Sequence, residues 1–312
     1  MTVMKLSIGP AYATALLAEF KISGLPDLLD VARRLNLTIK EVDSEGFDGA
    51  LVRAEGVACG AIAVRGSIRE TGRKNFTIAH EIGHYVLPGH DASASVCSPS
   101  DVGNWSDTAK EQECQADEFA AELLLPAAYA QPIFKATPPS LQVIQDVAER
   151  SGASLSATAW RFCDLISERC AVVWSHKKRI SWYKASGEFG FFLKRGKEIE
   201  KGTQAFQCFS GTRSHAHPEP VRADLWLDER IIADDSSLWE HSIALPFYDS
   251  VLSLLWIKDA IDKYSDYKEP ETDEMDPYRF DAARRRRLQA VVESPSLRTS
   301  RLIFDDVFRP RT

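Results

Sequence analysis

Apolar residues in the N-terminal half recur every three to four positions in several short segments, which is the period of an amphipathic helix. This pattern predicts helices over Leu28–Leu35 and Phe76–Leu87 and a third from Thr108 to Leu124. Small and β-branched residues at Ala58–Val64 predict a short strand, and the polar stretch 65–75 after it predicts a loop or hairpin. The N-terminal half therefore mixes helices with at least one strand.

Beyond residue 130 the pattern changes twice. Three prolines within 131–140 predict a linker, and helices are predicted over Leu141–Arg150 and Ser156–Ile166. From Ala171 to Ile257 the apolar residues alternate or run together as in strands, one of them over Phe189–Leu193. We therefore expect an α+β chain in four parts: a mixed N-terminal domain (1–130), a small helical module (131–170), a β-rich domain (171–265) and a charged, partly disordered tail (266–312).

Composition and charge exclude several classes of protein. The chain has 312 residues, of which 44% are hydrophobic and 27% charged, with a formal net charge of −7. This much apolar surface can bury a core, so the chain is not a disordered protein. A negative net charge argues against coating nucleic acid through charge alone. No apolar run approaches the roughly 18 residues of a membrane helix, and Gly9-Pro10 interrupts the one leader-like stretch near the N-terminus.

Cysteine placement indicates a reducing compartment. None of the six cysteines forms a Cys-x-x-Cys pair, and they are scattered over 150 residues. This is neither a disulfide framework nor a cysteine-based metal site. We therefore expect reduced thiols and a cytoplasmic location.

The most informative string is His80-Glu81-Ile82-Gly83-His84. On a helix, residues four apart lie on the same face, so both imidazoles can reach one metal ion. Glu81 is adjacent and can act as a general base on a water held by that metal. Since zinc lowers the pKa of such a water toward neutrality, the string predicts metal-assisted hydrolysis.

A catalytic zinc usually takes three protein ligands, and two residues compete for the third place. His90 has the spacing of the third metzincin ligand, but that pattern needs glycine three residues after the second histidine, where this chain has Leu87. The other candidate is Glu113 on the next predicted helix, which two antiparallel helices can bring opposite the histidines. Its helical face carries alanines and Asp117, which could hold an imidazole N–H.

The two segments Phe76-Thr-Ile-Ala-His-Glu-Ile-Gly-His-Tyr-Val-Leu87 and Glu113-Cys-Gln-Ala-Asp-Glu-Phe-Ala-Ala-Glu-Leu-Leu-Leu-Pro126 together resemble the ImmA/IrrE family of zinc metallopeptidases. The resemblance covers about residues 10–130 and implies a zincin-like fold. It implies that His80, His84 and Glu113 bind the metal and that Glu81 is the catalytic base. The family often has Glu where this chain has Gln115 and Asn where it has Asp117, and neither position is a metal ligand.

The resemblance also implies a role. Members of the family cleave a helix-turn-helix repressor and so release genes for stress response or for mobile elements. In IrrE-type members the place of residues 171–265 is taken by a GAF-like sensor domain. From the residues themselves, two imidazoles and one carboxylate accept Zn²⁺ or Mn²⁺. The strand Gly60–Val64 ahead of the metal helix could serve as an edge strand that pairs an extended peptide.

A non-enzymatic regulator, or a binding partner of the toxin–antitoxin type, is the competing interpretation. Residues 144–162 resemble a helix-turn-helix, with Ala148 and Gly152 four apart, but segment 141–170 has a net charge of −1. A DNA-reading helix pair is expected to be basic, so we expect a packing module there rather than a DNA-binding one. Arg284–Arg287 in the tail are balanced by the acidic residues before them.

Overall fold

The computed structural model describes residues 8–44, 46–53, 58–90, 94–97, 107–211, 214–227 and 236–258, with side chains of 94–97 and 107–110 left aside. Within these residues the chain is an α+β protein, as predicted, and it has eight α-helices and two β-sheets. The described residues divide into two compact units, 8–126 and 127–258. The predicted helical module and β-rich domain both lie in the second unit.

A four-stranded sheet forms one layer of the first unit. Its strands are β1 (Leu37–Val42), β2 (Gly49–Arg53), β3 (Gly60–Arg65) and β4 (Ala94–Cys97), in the order β1-β3-β2-β4. β3 pairs parallel to β1, antiparallel pairing joins β3 to β2, and β4 continues the sheet antiparallel to β2. The predicted strand at Ala58–Val64 is confirmed as β3, whose first five residues are buried. It lies inside the sheet, and its neighbours were not predicted.

Four helices complete the first unit. They are α1 (Ile8–Glu19), α2 (Leu28–Arg34), α3 (Thr71–Val86) and α4 (Asp107–Leu124). The Asp27 carboxylate caps α2 by accepting from the backbone N–H groups of the first turn, a favoured arrangement at a helix start. Apolar side chains from α1, α2, α3, α4 and the sheet form one core.

Helix α3 begins five residues earlier than its apolar pattern predicts, so the prediction of a loop over 65–75 is wrong for 71–75. The first turn of α3 is polar and is stabilised by ion pairs. Asp48 pairs with Arg65 and Arg73, and Lys74 pairs with Glu41. Because these contacts are made by charged side chains, the hydrophobic period that marks a helix starts only at Phe76.

The second unit is built on a five-stranded antiparallel sheet. Its strands are β5 (Cys170–His176), β6 (Arg179–Ala185), β7 (Glu219–Arg222), β8 (Ser237–Leu245) and β9 (Ser250–Trp256), in the order β6-β5-β9-β8-β7. The segment Phe189–Leu193 is not a strand, contrary to expectation. Its alternate residues Phe189, Phe191 and Leu193 are buried in the core of this unit, so the alternation reflects one-sided burial without ladder pairing.

Helices α5 (Ala127–Ala136), α6 (Leu141–Ser151), α7 (Leu155–Leu165) and α8 (Gln204–Phe209) belong to the second unit. The linker predicted over 131–140 is wrong for 131–136, because α5 continues with Pro132 inside it. Side chains of Ser140 and Ser154 cap α6 and α7, and Gly152 ends α6 in the left-handed conformation at φ 64°. A helix pair with a tight turn is therefore present, while its helix-turn-helix character and the GAF-like character of the sheet stay predictions.

Candidate metal centre

Helix α3 places the histidine-rich string in the interior of the first unit. All residues from Thr77 to His84 are buried, including both histidines and Glu81 between them. Buried histidines and carboxylates are uncommon unless they are hydrogen-bonded, charge-paired or bound to a metal. The contacts around each side chain therefore decide what this helix does.

The second helix of the site, α4, approaches α3 closely because the contacting residues are small. A Cβ atom added at Gly83 would lie 3.1 Å from Cδ1 of Phe119 and 3.3 Å from Cα of Ala116. Ala116 and Ala120 are fully buried on the facing side of α4. The sequence-based expectation that alanines on this face allow close approach of the metal helix agrees with this packing.

The carboxylate of Glu113 lies opposite both imidazoles. Its Oε2 is 3.1 Å from Nε2 of His80 and its Oε1 is 3.2 Å from Nε2 of His84. The two Nε2 atoms are 3.0 Å apart. A metal ion usually needs at least three ligating side chains. Among the described residues, His80, His84 and Glu113 form such a group, with all their ligand atoms within 4.8 Å of one another.

These distances fit a small tetrahedral cation. For zinc with ligand bonds of about 2.0–2.1 Å, neighbouring ligand atoms of a tetrahedron lie roughly 3.3–3.4 Å apart. The three separations in the site are 3.0, 3.1 and 3.2 Å, so the ligand atoms lie only slightly closer together than they would around a bound zinc ion. Two imidazole nitrogens and one carboxylate are also a donor set that zinc accepts. His80, His84 and Glu113 could therefore hold the metal.

Electrostatics keep Glu113 ionised. Burial by itself raises the pKa of this carboxyl, but hydrogen bonds and charges from His80 and His84 outweigh it and lower the pKa to about 2. A metal-ligating carboxylate must be deprotonated, so the site needs no proton release from Glu113 near neutral pH.

His80 is held from behind by Asp117. The ring Nδ1 lies 2.8 Å from Oδ1 of Asp117, one turn after Glu113 on α4. An ionised carboxylate only accepts, so Nδ1 donates to Asp117, and a bound metal would take the place of the proton that Nε2 shares with Glu113. The role expected for Asp117 from the sequence matches this contact.

His90 is not among the converging ligands, so the metzincin-like alternative is not supported. Its Nδ1 lies 2.9 Å from Nδ1 of His84, on the side of that ring away from Glu113, and its Nε2 lies 3.2 Å from Oε1 of Gln115. Burial is the largest effect on His90 and lowers its pKa. The contact of His90 with Gln115 was not predicted from the sequence. The sequence shows that Gln115 is two residues after Glu113. Its pattern of apolar and polar residues does not show that the turn after α3 lies beside α4.

Glu81 is fully buried where α3 crosses β2. A Cβ at Gly49, the first residue of β2, would lie 2.7 Å from its Oε1 and 2.4 Å from Cγ2 of Thr77. Such approaches are closer than real Cβ atoms make, so the absence of a side chain at Gly49 gives Glu81 its room.

The expectation that Gly60–Val64 is an edge strand is wrong. β3 pairs with β1 on one side and with β2 on the other, so its backbone groups are already used. Strands β1 and β4 are at the ends of the sheet in the described residues. A peptide that adds a strand must therefore use one of those ends.

Comparison with known proteins agrees with this geometry. The model of the IrrE N-terminal-like domain, Peptidase_M78, matches residues 32–162. Residues 32–162 therefore form an IrrE N-terminal-like domain, which supports an ImmA/IrrE family assignment. The ImmA/IrrE match begins in α2, includes α3 and α4, and ends in α7, so it contains all four site residues predicted from the sequence and extends into the second compact unit.

Other comparisons add little beyond the ImmA/IrrE assignment. A solved structure described as a Mycobacterium tuberculosis transcriptional regulator is similar at 13% identity and a TM-score of 0.48, over 79% of this chain and 76% of that one. That level of similarity transfers neither fold nor function. No curated protein matches the chain.

Several expectations concern features away from the ImmA/IrrE site. No helix in the described ranges is long and apolar enough to cross a membrane. Cys163 and Cys170 are buried, and desolvation raises the pKa of both thiols, to about 12 for Cys163. The charged tail 266–312, with Arg284–Arg287, lies outside the described residues.

Proposed function

We propose that the chain is a zinc-dependent metalloendopeptidase. The single observation that carries this proposal is the convergence of Nε2 of His80, Nε2 of His84 and the Glu113 carboxylate within 3.0–3.2 Å of one another. The IrrE N-terminal-like match over 32–162 supports a metallopeptidase-type domain. Two imidazoles and one carboxylate also accept manganese, so both metals belong in the test.

Different residues of the site bind the metal and transfer the proton. Zinc bound here would lower the pKa of a water molecule and polarise a substrate carbonyl. His80, His84 and Glu113 would hold the metal with their lone pairs. In the proposed mechanism a carboxylate oxygen of Glu81 takes the proton of the attacking water and later delivers it to the leaving amine. Asp117 and His90 keep the two imidazole rings in place.

For the substrate, we propose a helix-turn-helix repressor whose cleavage controls a stress-response or mobile-element regulon in the cytoplasm. This rests on the family resemblance rather than on a pocket. The second unit would sense a signal, as the GAF-like domain does in IrrE-type proteins, and direct DNA binding by α6 and α7 is not part of the proposal because segment 141–170 is slightly acidic.

The metal site is tested first. Zinc and manganese per purified chain are measured for the wild type, for Glu113→Ala, and for Glu111→Ala as a matched control on the exposed side of the same helix. We expect about one metal per chain in the wild type and the control, and a large loss in Glu113→Ala. Equal metal content in all three proteins would contradict the site.

Cleavage is tested in the native host. Wild type and Glu81→Gln are expressed at equal levels, and newly formed protein N-termini are identified by chemical labelling and mass spectrometry. We expect new N-termini within a helix-turn-helix protein with the wild type and none with Glu81→Gln, which keeps its metal. If regulation survives Glu81→Gln unchanged, the non-enzymatic regulator becomes the better interpretation.

A further inference from the structure

A second hydrogen-bonded chain reaches the site through His84. The Nδ1 atoms of His84 and His90 are 2.9 Å apart, and Nε2 of His90 lies 3.2 Å from Oε1 of Gln115. His90 follows the end of α3, whereas Gln115 is on α4, two residues after Glu113. The hydrogen bonds from His84 through His90 to Gln115 therefore link both helices of the metal centre on the side away from the ligand atoms.

The backbone around His90 is held in a defined position. The Arg53 guanidinium on β2 donates to the carbonyl oxygens of His84, Tyr85 and His90, at 2.9 Å for His90. The side-chain amide of Gln112 donates to the carbonyl of Gly89 at 2.6 Å. His90 is itself buried, with 5% of its surface exposed. Its backbone is thus held from β2, and its ring is held by His84 of α3 and Gln115 of α4.

The contacts of His90 determine which nitrogen of His84 carries the proton. A neutral imidazole has one N–H and one lone pair, and a carbonyl-type oxygen such as Oε1 of Gln115 only accepts. His90 must then donate from Nε2 and accept at Nδ1. His84 in turn donates from Nδ1, which leaves its Nε2 with a lone pair directed at Glu113 and the metal position.

The reverse direction is incompatible with metal binding. If the amide of Gln115 donated to His90, the proton order along the chain would invert and a proton would sit on Nε2 of His84. That nitrogen lies 3.2 Å from Oε1 of Glu113, where the metal would need its lone pair. Metal binding at His84 therefore requires that Gln115 accept from His90.

We propose that His90 and Gln115 are positioning residues that fix the metal-binding tautomer of His84. The inference rests on the proposed metal centre and deepens it. Asp117 fixes the tautomer of His80 in the same way, but it does so directly, as a charged acceptor 2.8 Å from Nδ1. For His84 the acceptor is a neutral amide acting through a second imidazole, so its direction depends on which amide atom faces His90.

Zinc affinity of the full-length chain tests the proposal. A chromophoric chelator competes for Zn²⁺ with the wild type and with Gln115→Glu, Gln115→Met and His90→Phe, with Glu111→Gln as surface control. Gln115→Glu presents only acceptor oxygens and should bind zinc at least as tightly as the wild type. Gln115→Met and His90→Phe remove the acceptor or the linking ring and should weaken binding about 10–100-fold. Wild-type affinity in both would overturn the proposal.

The metal-free protein gives an independent readout that a folding defect cannot imitate. Long-range ¹H–¹⁵N correlation spectra of the histidine rings identify the protonated nitrogen of each. We expect protons at Nδ1 of His84 and at Nε2 of His90 in the wild type and in Gln115→Glu, whether or not Nε2 of His84 also carries a proton toward Glu113 while no metal is bound. The opposite pattern in the wild type would refute the tautomer assignment even if zinc binds. Absence of zinc binding by the wild type would instead refute the metal centre, and the role of His90 with it.

Discussion

Oδ1 of Asp117 lies 2.8 Å from Nδ1 of His80, one helical turn along α4 from Glu113, whose carboxylate faces the other nitrogen of the same ring. One helix thus contacts both edges of one imidazole. Because residues four apart share a helix face, this arrangement follows from the spacing of Glu113 and Asp117 once α4 packs against α3. The ring can neither turn nor change tautomer without breaking a contact to α4.

Replacement of Asp117 should weaken metal binding without removing a ligand. Asp117→Ala leaves Nδ1 of His80 without its acceptor, and we expect zinc affinity to fall about 10–100-fold. Asp117→Asn keeps an accepting oxygen and should lose less. Chelator competition measures both, with Glu111→Ala as control. Equal affinities for wild type and Asp117→Ala would show that the contact does not orient the ring.

Glycine at position 83 should set the distance between the metal helices. A Cβ there would lie 3.1 Å from Cδ1 of Phe119 and 3.3 Å from the backbone of Ala116, so α3 and α4 must separate by a few tenths of an ångström. Alanine gains about 1 kcal/mol of helix propensity over glycine, which opposes the packing cost. We therefore expect Gly83→Ala to change stability little and to lower zinc affinity several-fold.

Denaturant unfolding and zinc competition on the same preparation separate these two effects of Gly83→Ala. Gly66→Ala is the control, because its added Cβ would lie no closer than 3.6 Å to any neighbour. Zinc affinity unchanged in Gly83→Ala would mean that Glu113 follows the helix without losing its place opposite the histidines.

Position 49 should be sensitive for a different reason. The Cβ of Gly49→Ala would lie 2.7 Å from Oε1 of Glu81 and 2.4 Å from Cγ2 of Thr77, so both side chains must move. Overpacking of this kind costs typically about 1–3 kcal/mol. We expect that loss in the free energy of unfolding and a lower cleavage rate with retained zinc, measured beside Gly66→Ala. A variant as stable and active as the wild type would show that Glu81 has spare room.

Much of the site could be predicted from the sequence, because its residues are related by helical spacing. His80 and His84 share a face at four residues apart, and Glu113 and Asp117 do the same on α4. Local periodicity therefore supplied both pairs of side chains. The close approach of the two helices was also visible, in the buried alanines next to Asp117.

The remaining features depend on contacts between distant segments. Strand β3 was found, but its interior place comes from pairing with Leu37–Val42 and Gly49–Arg53, which a one-dimensional pattern does not encode. The contact of His90 with Gln115 requires a turn of the chain that Arg53 holds from β2. Helix α5 was mistaken for a linker because the proline-rich segment begins inside it, at Pro132.

The stability of the second unit should depend on pH through His241. This ring is buried, accepts the backbone N–H of Leu141 at Nδ1 and donates from Nε2 to the carbonyl of His215, each at 3.0 Å. Burial lowers the pKa of His241, the nearby His215 and His217 lower it further, and the hydrogen bond to the carbonyl partly opposes them. The neutral ring is therefore the one that the fold holds.

The direction of the pH dependence follows from whether the folded or the unfolded chain binds the proton at residue 241. Below the unfolded value of about 6.5, the unfolded chain takes up a proton at residue 241 that the folded chain does not. The free energy of unfolding should be unaffected by His241 above about pH 6.5 and should fall as the pH drops below it, by at most about 1.4 kcal/mol per pH unit. His241→Gln can keep both hydrogen bonds but cannot titrate, so this part of the pH dependence should vanish.

Denaturant titrations from pH 5 to pH 8, followed by tryptophan fluorescence, measure the effect. Six of the seven tryptophans lie between residues 160 and 256, so the signal reports mainly on the second unit. The exposed His217→Gln is the control; it removes only a minor contribution to the lowered pKa of His241, so it should retain most of the wild-type slope. A wild-type slope in His241→Gln would assign the pH dependence to other groups, and a rise in stability below pH 6.5 would contradict the lowered pKa of His241.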